Sequence, residues 1–464
     1  MNQFGILQTP GGGRMRRSIG IKLLLVCGLA LVMCIPAAFV NSLVSDRTSR
    51  AGDVVKDVSA HVGGQQTFLG PTLAIPYNVA ADNKHGVYLV FPTQAAASVK
   101  SATEERRRSL FKVPVFTADL NLDASFDLTG VPVAAPEGAT LDWDRAELVV
   151  GVSDARGARS DAVLTVAGTP FTMAPAAVTP DMILNGSSGP QTPLTLFGIP
   201  ASAFAHSGAQ FKASAALHFS GAQRIAVLSY GKTTHLTMQG DWPNPSFDGG
   251  FLPTSHTITD HGFSAEWSVP YIARGVAAEG TAAAIHALDA TGLGVSFIEL
   301  ADPYQSVNRS LKYLPLFLGL VFLSYFVFEV TTGKCIHPAQ YVLVGVAQVI
   351  FYLLLLSLAE RIGFDFAFLL GGAATVSLLS GNAGWIFASR LQGFRALGVF
   401  SLLYALIYML LRLEDDALLV GAIASFAAVA AVMYFTRHID WYGALPGSNA
   451  GSAGQGTAAS GEPA

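Results

Sequence analysis

Between 311 and 436 the chain alternates long apolar runs with short polar breaks. The runs cover 311–332, 339–359, 366–388, 396–413 and 417–436, and each reaches about 30 Å as a helix rising about 1.5 Å per residue, the thickness of a bilayer core. In "LPLFLGLVFLSYFVF" and "YVLVGVAQVIFYLLLLSLA" the apolar residues occupy every face, which leaves no solvated stripe for a soluble fold. Five membrane spans are predicted here.

An earlier apolar run, "LLLVCGLALVMCIPAAFV", follows Arg14, Arg16, Arg17 and Lys22. This is the layout of a signal peptide or a signal anchor, and a run of about 20 residues with no small-x-small cleavage site favours the anchor. Val26 and Met33 precede the two cysteines where a lipoprotein needs a small residue. Beyond it, Val54, Val55 and Val58 lie among Asp46, Arg47, Arg50, Asp53, Lys56 and Asp57, an amphipathic pattern that predicts a helix continuing off the membrane.

After "GPTLAIPY" the period changes to two, and it holds to about Val307. In "TADLNLDASFDL" the residues Ala118, Leu120, Leu122, Ala124, Phe126 and Leu128 alternate with Asp119, Asn121, Asp123, Ser125 and Asp127, the signature of a strand with one buried and one wet face. "FKASAALHFSG" repeats it, and "THLTMQGDW" and "FSAEWSV" are shorter versions. Turn-rich links such as "NGSSGPQTP" separate them, so this region predicts antiparallel sheet, as a sandwich or as two similar sheet units.

The basic residues of the breaks alternate sides. Lys334 and His337, then Arg390 and Arg395, then Arg437 and His438 fall on one side, and the positive-inside rule makes that side cytoplasmic. The fold class expected is therefore a polytopic α-helical membrane protein with six transmembrane helices and a large β-rich periplasmic domain between helices 1 and 2. Its parts are a basic cytoplasmic N-terminus (1–18), an anchor (19–41), the periplasmic domain (42–310), a five-helix bundle (311–436) and a cytoplasmic end with a disordered Gly/Ala/Ser tail (437–464). Both termini are expected in the cytoplasm.

Composition sharpens this picture in two places. Among 464 residues only 13% are charged and the net charge is −4, so no basic surface calls for nucleic acid. The three cysteines, Cys27, Cys34 and Cys335, all fall outside 42–310. The exported part must fold without disulfides, which its size of about 260 residues permits.

At this point the residues resemble a known family. "GPTLAIPY", "VGVSDARG", "DWPNPSFDGGFLP", "YFVFEVTTGKCIHPAQYVLVG", "FYLLLLSLAE" and "RHIDWY" are similar to stretches of the CreD family, inner-membrane cell-envelope integrity proteins of Gram-negative bacteria. The resemblance omits only the glycine-rich N-terminal tip and the C-terminal tail. It implies a link to a two-component system answering carbon source and envelope stress, with effects on envelope integrity, colicin tolerance and β-lactam response. It implies no reaction, cofactor or ligand.

Signatures of chemistry are scarce. G-x-S-x-G, H-E-x-x-H and C-x-x-C are all absent, which removes the common hydrolase, zinc-protease and redox motifs. "AVLSYGKTT" imitates the end of a phosphate loop but opens on Ala226, and a turn between strands explains it. Eight of the ten histidines lie in the exported region without ligand spacing, His218 and His235 being the pair that neighbouring strands would bring together. Asp154 and Arg156 flank a turn and read either as a turn cap with its counter-ion or as a polar contact for a partner. Trp242, Phe247 and Phe251, set in a Pro/Gly frame, read either as a pinned loop or as a displayed aromatic surface. The mixed-sign run from Glu104 to Arg108 reads as a solvated turn or as a contact to lipid headgroups or polymer.

Within the spans no ionisable group is expected at mid-depth. Glu329 and Arg412 sit near span ends, within snorkelling reach of the surface, while Gln348, Asn382, Tyr404 and Tyr408 are expected to hydrogen-bond between helices. The protein is thus expected to be no enzyme, to need no cofactor or metal, and to act in envelope integrity by binding an unidentified envelope protein or polymer beside the lipid bilayer. The alternatives kept open are a membrane transporter or lipid/solute exporter, and a periplasmic hydrolase.

Overall fold

A computed structural model describes residues 19–79, 84–108, 111–178, 183–184, 192–297, 303–334, 336–412 and 417–437. The N-terminal tip, Cys335, the acidic break at 414–416, most of "NGSSGPQTP" and the tail from His438 lie outside the described residues. The chain divides into two compact units, with boundaries after Thr48 and after Leu300.

The first unit is helical. Helix α1 (Ile19–Val62) is a single helix of 44 residues with Pro36 inside it. The anchor and the amphipathic stretch are therefore one element, and only its first part belongs to this unit. Short α2 (Tyr271–Arg274) belongs to the other unit, and α3 (Pro303–Lys312) opens the C-terminal part of this one. Then come α4 (Leu314–Thr332), α5 (Pro338–Ile362), α6 (Phe364–Ile386), α7 (Arg390–Arg412) and α8 (Ala417–Thr436). Among the described residues α1, α4, α5, α6 and α7 are long and apolar enough to cross a membrane, and α8, of 20 residues, adds a shorter apolar stretch, Leu419–Ala431. Their outward faces carry Leu24, Leu31, Ile35, Phe39, Phe366, Leu369 and Leu402, all well exposed, as lipid contact requires. One expectation fails here: 303–312, read as the end of the strand region and the start of a span, is a separate helix. Val307, Ser310 and Leu311 are its buried positions, spaced three and four apart as one helical face.

Two ion pairs fasten α1 to the bundle. Lys22 reaches Glu329 of α4, and Arg47 lies 3.8 Å from Glu360 of α5. Along α1 these points are about 38 Å apart at about 1.5 Å per residue, so α1 runs the full depth of the bundle.

The second unit is built of strands. Its first half holds β1 (Gln66–Val79), β2 (Lys84–Val90), β3 (Gln94–Arg108), β4 (Phe111–Asp127), β5 (Ala139–Leu141), β6 (Glu147–Val152), β7 (Val163–Val166), β8 (Thr169–Thr172), β9 (Ala174–Pro175) and β10 (Ile183–Leu184). Its second half holds β11 (Thr192–Pro193), β12 (Thr195–Pro200), β13 (Gln210–Ala222), β14 (Arg224–Leu228), β15 (Thr233–Gly240), β16 (Pro245–Gly249), β17 (Ser255–Thr259), β18 (Gly262–Val269), β19 (Glu279–Thr281) and β20 (Gly292–Phe297). One sheet runs β16-β20-β14-β1-β6-β12-β9, with β2 and β5 also on β1 and β19 on β2; the second runs β17-β18-β15-β3-β4-β13-β7-β8, and β10 pairs with β11 apart from both. Both contribute to a single apolar core, so of the two expected arrangements the sandwich is the one found.

The long alternating stretch is β4, the centre of the eight-stranded sheet. Leu120, Leu122, Ala124 and Phe126 point into the core while Asp119, Asn121 and Asp123 stay exposed. Ring contacts cross the sandwich at Phe68–Phe219 and Phe116–Phe297. Tyr230, from the turn between β14 and β15, donates to the carbonyls of Ala96 and Asp123. Its ring lies on Gly70, where a Cβ would come within 2.4 Å of it, which explains the glycine in the middle of β1.

Candidate binding groove

Period two places short polar side chains on the outer face of the eight-stranded sheet. Register then lines up Ser264, Gln239, Lys100, Asp119 and His218 as one row across β18, β15, β3, β4 and β13. A parallel row holds Glu266, Thr237, Ser98, Asn121 and Ala216. At one end of this face, where β17 and β18 turn back at Asp260–His261, the surface sinks into an open groove of about 490 Å3. Lys100, Gln239, Asp241, Thr257, Thr259, His261 and Ser264 line it together with Phe263.

The acidic wall is held in place from beside the groove. The backbone N–H of Thr103 donates to Asp241 Oδ1 at 2.8 Å, and the Thr103 hydroxyl donates to the same oxygen. Lys100 and Asp241 thus offer opposite charges within one concavity, among hydroxyl and amide groups. Such a lining recognises a hydroxyl-rich or zwitterionic ligand through hydrogen bonds and charge. It contains no nucleophile paired with a base: among the described residues no histidine ring is hydrogen-bonded to a serine, threonine or cysteine side chain, the His261 backbone N–H alone reaching the Thr259 hydroxyl at 3.4 Å, and no three His, Cys, Asp or Glu residues converge as metal ligands.

None of the residues singled out from the sequence lies in this groove. Asp154 caps a 3-10 turn, accepting from the N–H of Arg156 at 3.0 Å, and the Arg156 guanidinium returns to the same carboxylate at 2.9 and 2.6 Å. Those bonds hold the Asp154 carboxyl below its usual pKa and satisfy it locally. Trp242 is 9% exposed and packs edge-on against Phe297. It is no displayed anchor, because the sandwich core closes over it. Phe247 is half-buried between Phe263, Trp267 and His256, and the carbonyl of Phe251 accepts from Trp267 Nε1 at 3.1 Å. The Pro/Gly frame is a packing device: a Cβ on Gly250 would lie 1.7 Å from the Ala290 carbonyl oxygen.

His218 and His235 do not meet. They sit on β13 and β15 with β3 and β4 between them, about 14 Å apart across the sheet at about 4.8 Å per strand and four residues out of register along it, and His218 pairs with Asp119 at 2.6 Å. The run from Glu104 to Arg108 is the outer end of β3, where Arg106 pairs with Glu104, Arg107 and Lys112 with Glu105, and Arg108 with Asp57.

In the helical unit, Asn382 donates to the Tyr325 hydroxyl at 3.4 Å, the expected interhelical bond. Gln348 departs from the expectation: it is 1% exposed, and neither amide atom has a hydrogen-bond partner. Glu329 departs further. It is 5% exposed, it takes Lys22, the Ile336 N–H (2.8 Å) and the Tyr341 hydroxyl (2.9 Å), and it does not snorkel. Sequence reasoning missed Glu329 because its depth is set by α1, and it missed the groove residues because small polar side chains mark every wet strand face. The one usable signal was the Lys100 position, the only basic residue on the alternating part of β3 before the charged run.

Comparison with known proteins covers most of the chain. A family model described as "Inner membrane protein CreD" matches residues 18–442. The "Inner membrane protein CreD" of Escherichia coli (strain K12) is 30% identical over 439 residues, covering 91% of this chain and 93% of that protein. Among solved structures, an M1 zinc metallopeptidase variant from Deinococcus radiodurans aligns over 75% of this chain and 94% of its own at 10% identity, with a TM-score of 0.18, too low to carry an argument about fold or chemistry.

Proposed function

The chain belongs to the CreD family of inner membrane proteins, and from that premise we propose that it is a non-catalytic component of cell-envelope integrity and envelope-stress response, whose β-rich unit binds an envelope protein or polymer outside the cytoplasm. The topology that goes with this reading has six crossings, α8 being the sixth, with both termini in the cytoplasm. Its support is the alternation of basic breaks together with the two ion pairs of α1. Lys22 and Glu329 meet on the side of the basic breaks, and Arg47 and Glu360 meet at the opposite end.

The observation that carries the binding role is the groove of about 490 Å3 with Lys100 on one wall and Asp241 on another. Its hydroxyl and amide lining suits a polar envelope polymer or a polar protein segment better than a lipid tail. The test is dye uptake by cells lacking the protein, complemented by the full chain or by a full chain carrying Lys100→Glu and His261→Ala. Wild type is expected to restore the barrier and the double variant to leave it leaky at equal membrane abundance. Restoration by the variant would remove the groove from the mechanism. A second reading, solute or lipid transport, is favoured by the partnerless amide of Gln348 inside the bundle.

A further inference from the structure

The interior of the helical unit holds more polar chemistry than an anchor needs. Four buried side chains there, Gln348 and Tyr352 on α5, Ser380 on α6 and Tyr404 on α7, present polar atoms to the interior, the first three with no hydrogen-bond partner and Tyr404 beside the Thr375 side chain alone. All are at most 6% exposed. In a medium without bulk water each partnerless group costs about 1–3 kcal/mol unless something bonds to it, and three in one bundle are not explained by packing.

Their depths form a series. The ammonium of Lys334, just past α4, donates to the carbonyl of Phe387, just past α6, so these two helices end on one side, where α5 and α7 begin. At the other side Asp365, opening α6, meets Arg412 and Tyr408, near the end of α7. Counted from the first side at about 1.5 Å per residue, Glu329 and Tyr341 lie at about 5 Å, Asn382 at about 6, Ser380 at about 9 and Tyr325 at about 10; Gln348 follows at about 15, Tyr352 and Tyr404 at about 21, Tyr408 at about 27 and Asp365 at about 31. Along the bundle axis no step exceeds about 6 Å, so no level of the bundle is without a polar side chain that water could bridge to the next. The ends of the series are carboxylates, each already in a charge pair, Glu329 with Lys22 and Asp365 with Arg412. Several links are direct: Tyr341 donates to Glu329, Tyr325 donates to the Leu379 carbonyl and Asn382 donates to Tyr325.

We propose that this series is a hydrated track that passes protons across the bundle between Asp365 and Glu329. A proton taken up at the Asp365 end moves by exchange along hydroxyls, the Gln348 amide and intervening waters, and one proton leaves at Glu329; no bond to carbon changes and nothing is oxidised or reduced. Glu329 is faced by Lys22 from α1 and by Tyr341 from α5, so the receiving carboxylate is stabilised by one cation and one hydroxyl donor. Gln348 occupies the middle of the track, where its amide serves as donor and acceptor together. This function is separate from the groove and does not depend on it.

The test uses the full chain in liposomes containing a pH-reporting dye, with a potassium gradient and valinomycin supplying the driving force. Wild type is expected to change the internal pH at least tenfold faster than in protein-free liposomes. Glu329→Gln and Gln348→Leu are each expected to slow it at least fivefold, and Ser377→Ala, on an exposed helix face, to leave it unchanged. A second readout needs no variant: pulsed hydroxyl-radical labelling oxidises only side chains beside water, and Tyr352 and Tyr404 are expected to be labelled although both are buried. Wild-type flux equal to that of empty liposomes overturns the proposal, as does undiminished flux in both variants. Absence of label on both tyrosines removes the water track independently of any flux.

Discussion

Replacing Lys22 by methionine tests whether α1 is a structural member of the bundle. The change removes the cation from a carboxylate that is 5% exposed and leaves Glu329 with the Ile336 N–H and the Tyr341 hydroxyl. Removing one partner of a buried pair costs about 3–5 kcal/mol. Two donors remain, and the Lys22 side chain is itself 23% exposed, so the lower end applies: about 3 kcal/mol, a shift of roughly 140-fold in the folding equilibrium. Glu329→Gln is expected to cost less, about 2 kcal/mol, because the freed ammonium can extend toward the headgroups. The double variant has no buried charge left to strand and is expected to cost little more than Glu329→Gln alone. The three denaturation curves, taken on the full chain in one detergent, therefore give a coupling of about 2–3 kcal/mol. Additivity within about 0.5 kcal/mol would refute the argument, because sites that do not touch behave that way. Arg47→Met serves as the contrast. Its pair with Glu360 is 3.8 Å long and the arginine is 39% exposed, which limits the effect to about 1 kcal/mol.

Three further outcomes are expected. Gly250→Ala should destabilise the β-rich unit by about 3 kcal/mol or more, since the added methyl meets the Ala290 backbone carbonyl, two residues before β20, at 1.7 Å; a melting curve of the full chain that overlays wild type would contradict the packing role of the Gly-Gly pair. Trp242→Ala should cost about 3–5 kcal/mol of stability, and a loss confined to partner capture, with the melt unchanged, would restore the displayed-surface reading. Burial lifts the Asp289 carboxyl to about 6 from its ordinary 3.8, so the folded state binds the proton more tightly than the unfolded one and stability falls as pH rises from about 4 through 6. Asp289→Asn should flatten that slope and stabilise the protein above pH 6 by about 1 kcal/mol, a figure reduced for the solvent that still reaches the group; an unchanged slope in urea titrations at pH 4, 5 and 7 would show that Asp289 does not titrate there.

Where a residue's neighbours are close in sequence, the chain spoke clearly. Alternation in 118–128 is enough to place Leu120 inside and Asp119 outside, and the apolar runs locate α4 to α7 to within a few residues, because helix and strand periods are local properties. The difficulties share one cause. Trp242 in a Pro/Gly loop looks the same whether or not Phe297 from β20 closes over it, and β20 arrives 50 residues later. His218 and His235 lie on strands only 10 residues apart in the chain, yet β15 is added in parallel to β3 instead of beside β13. Glu329, three residues from the end of α4, had two physical futures. With headgroups alone it would extend to the surface. With Lys22 approaching from 307 residues away it becomes the fixed carboxylate at the foot of a polar series. The same long-range event that hides Glu329 gives α1 one of its two fastenings, and Gln348 is interior because α4 to α7 close around it. Stability and permeation are thereby tied to the same contacts: a substitution that frees α1 should lower the melting point and change proton passage together, whereas Gln348→Leu should change passage alone.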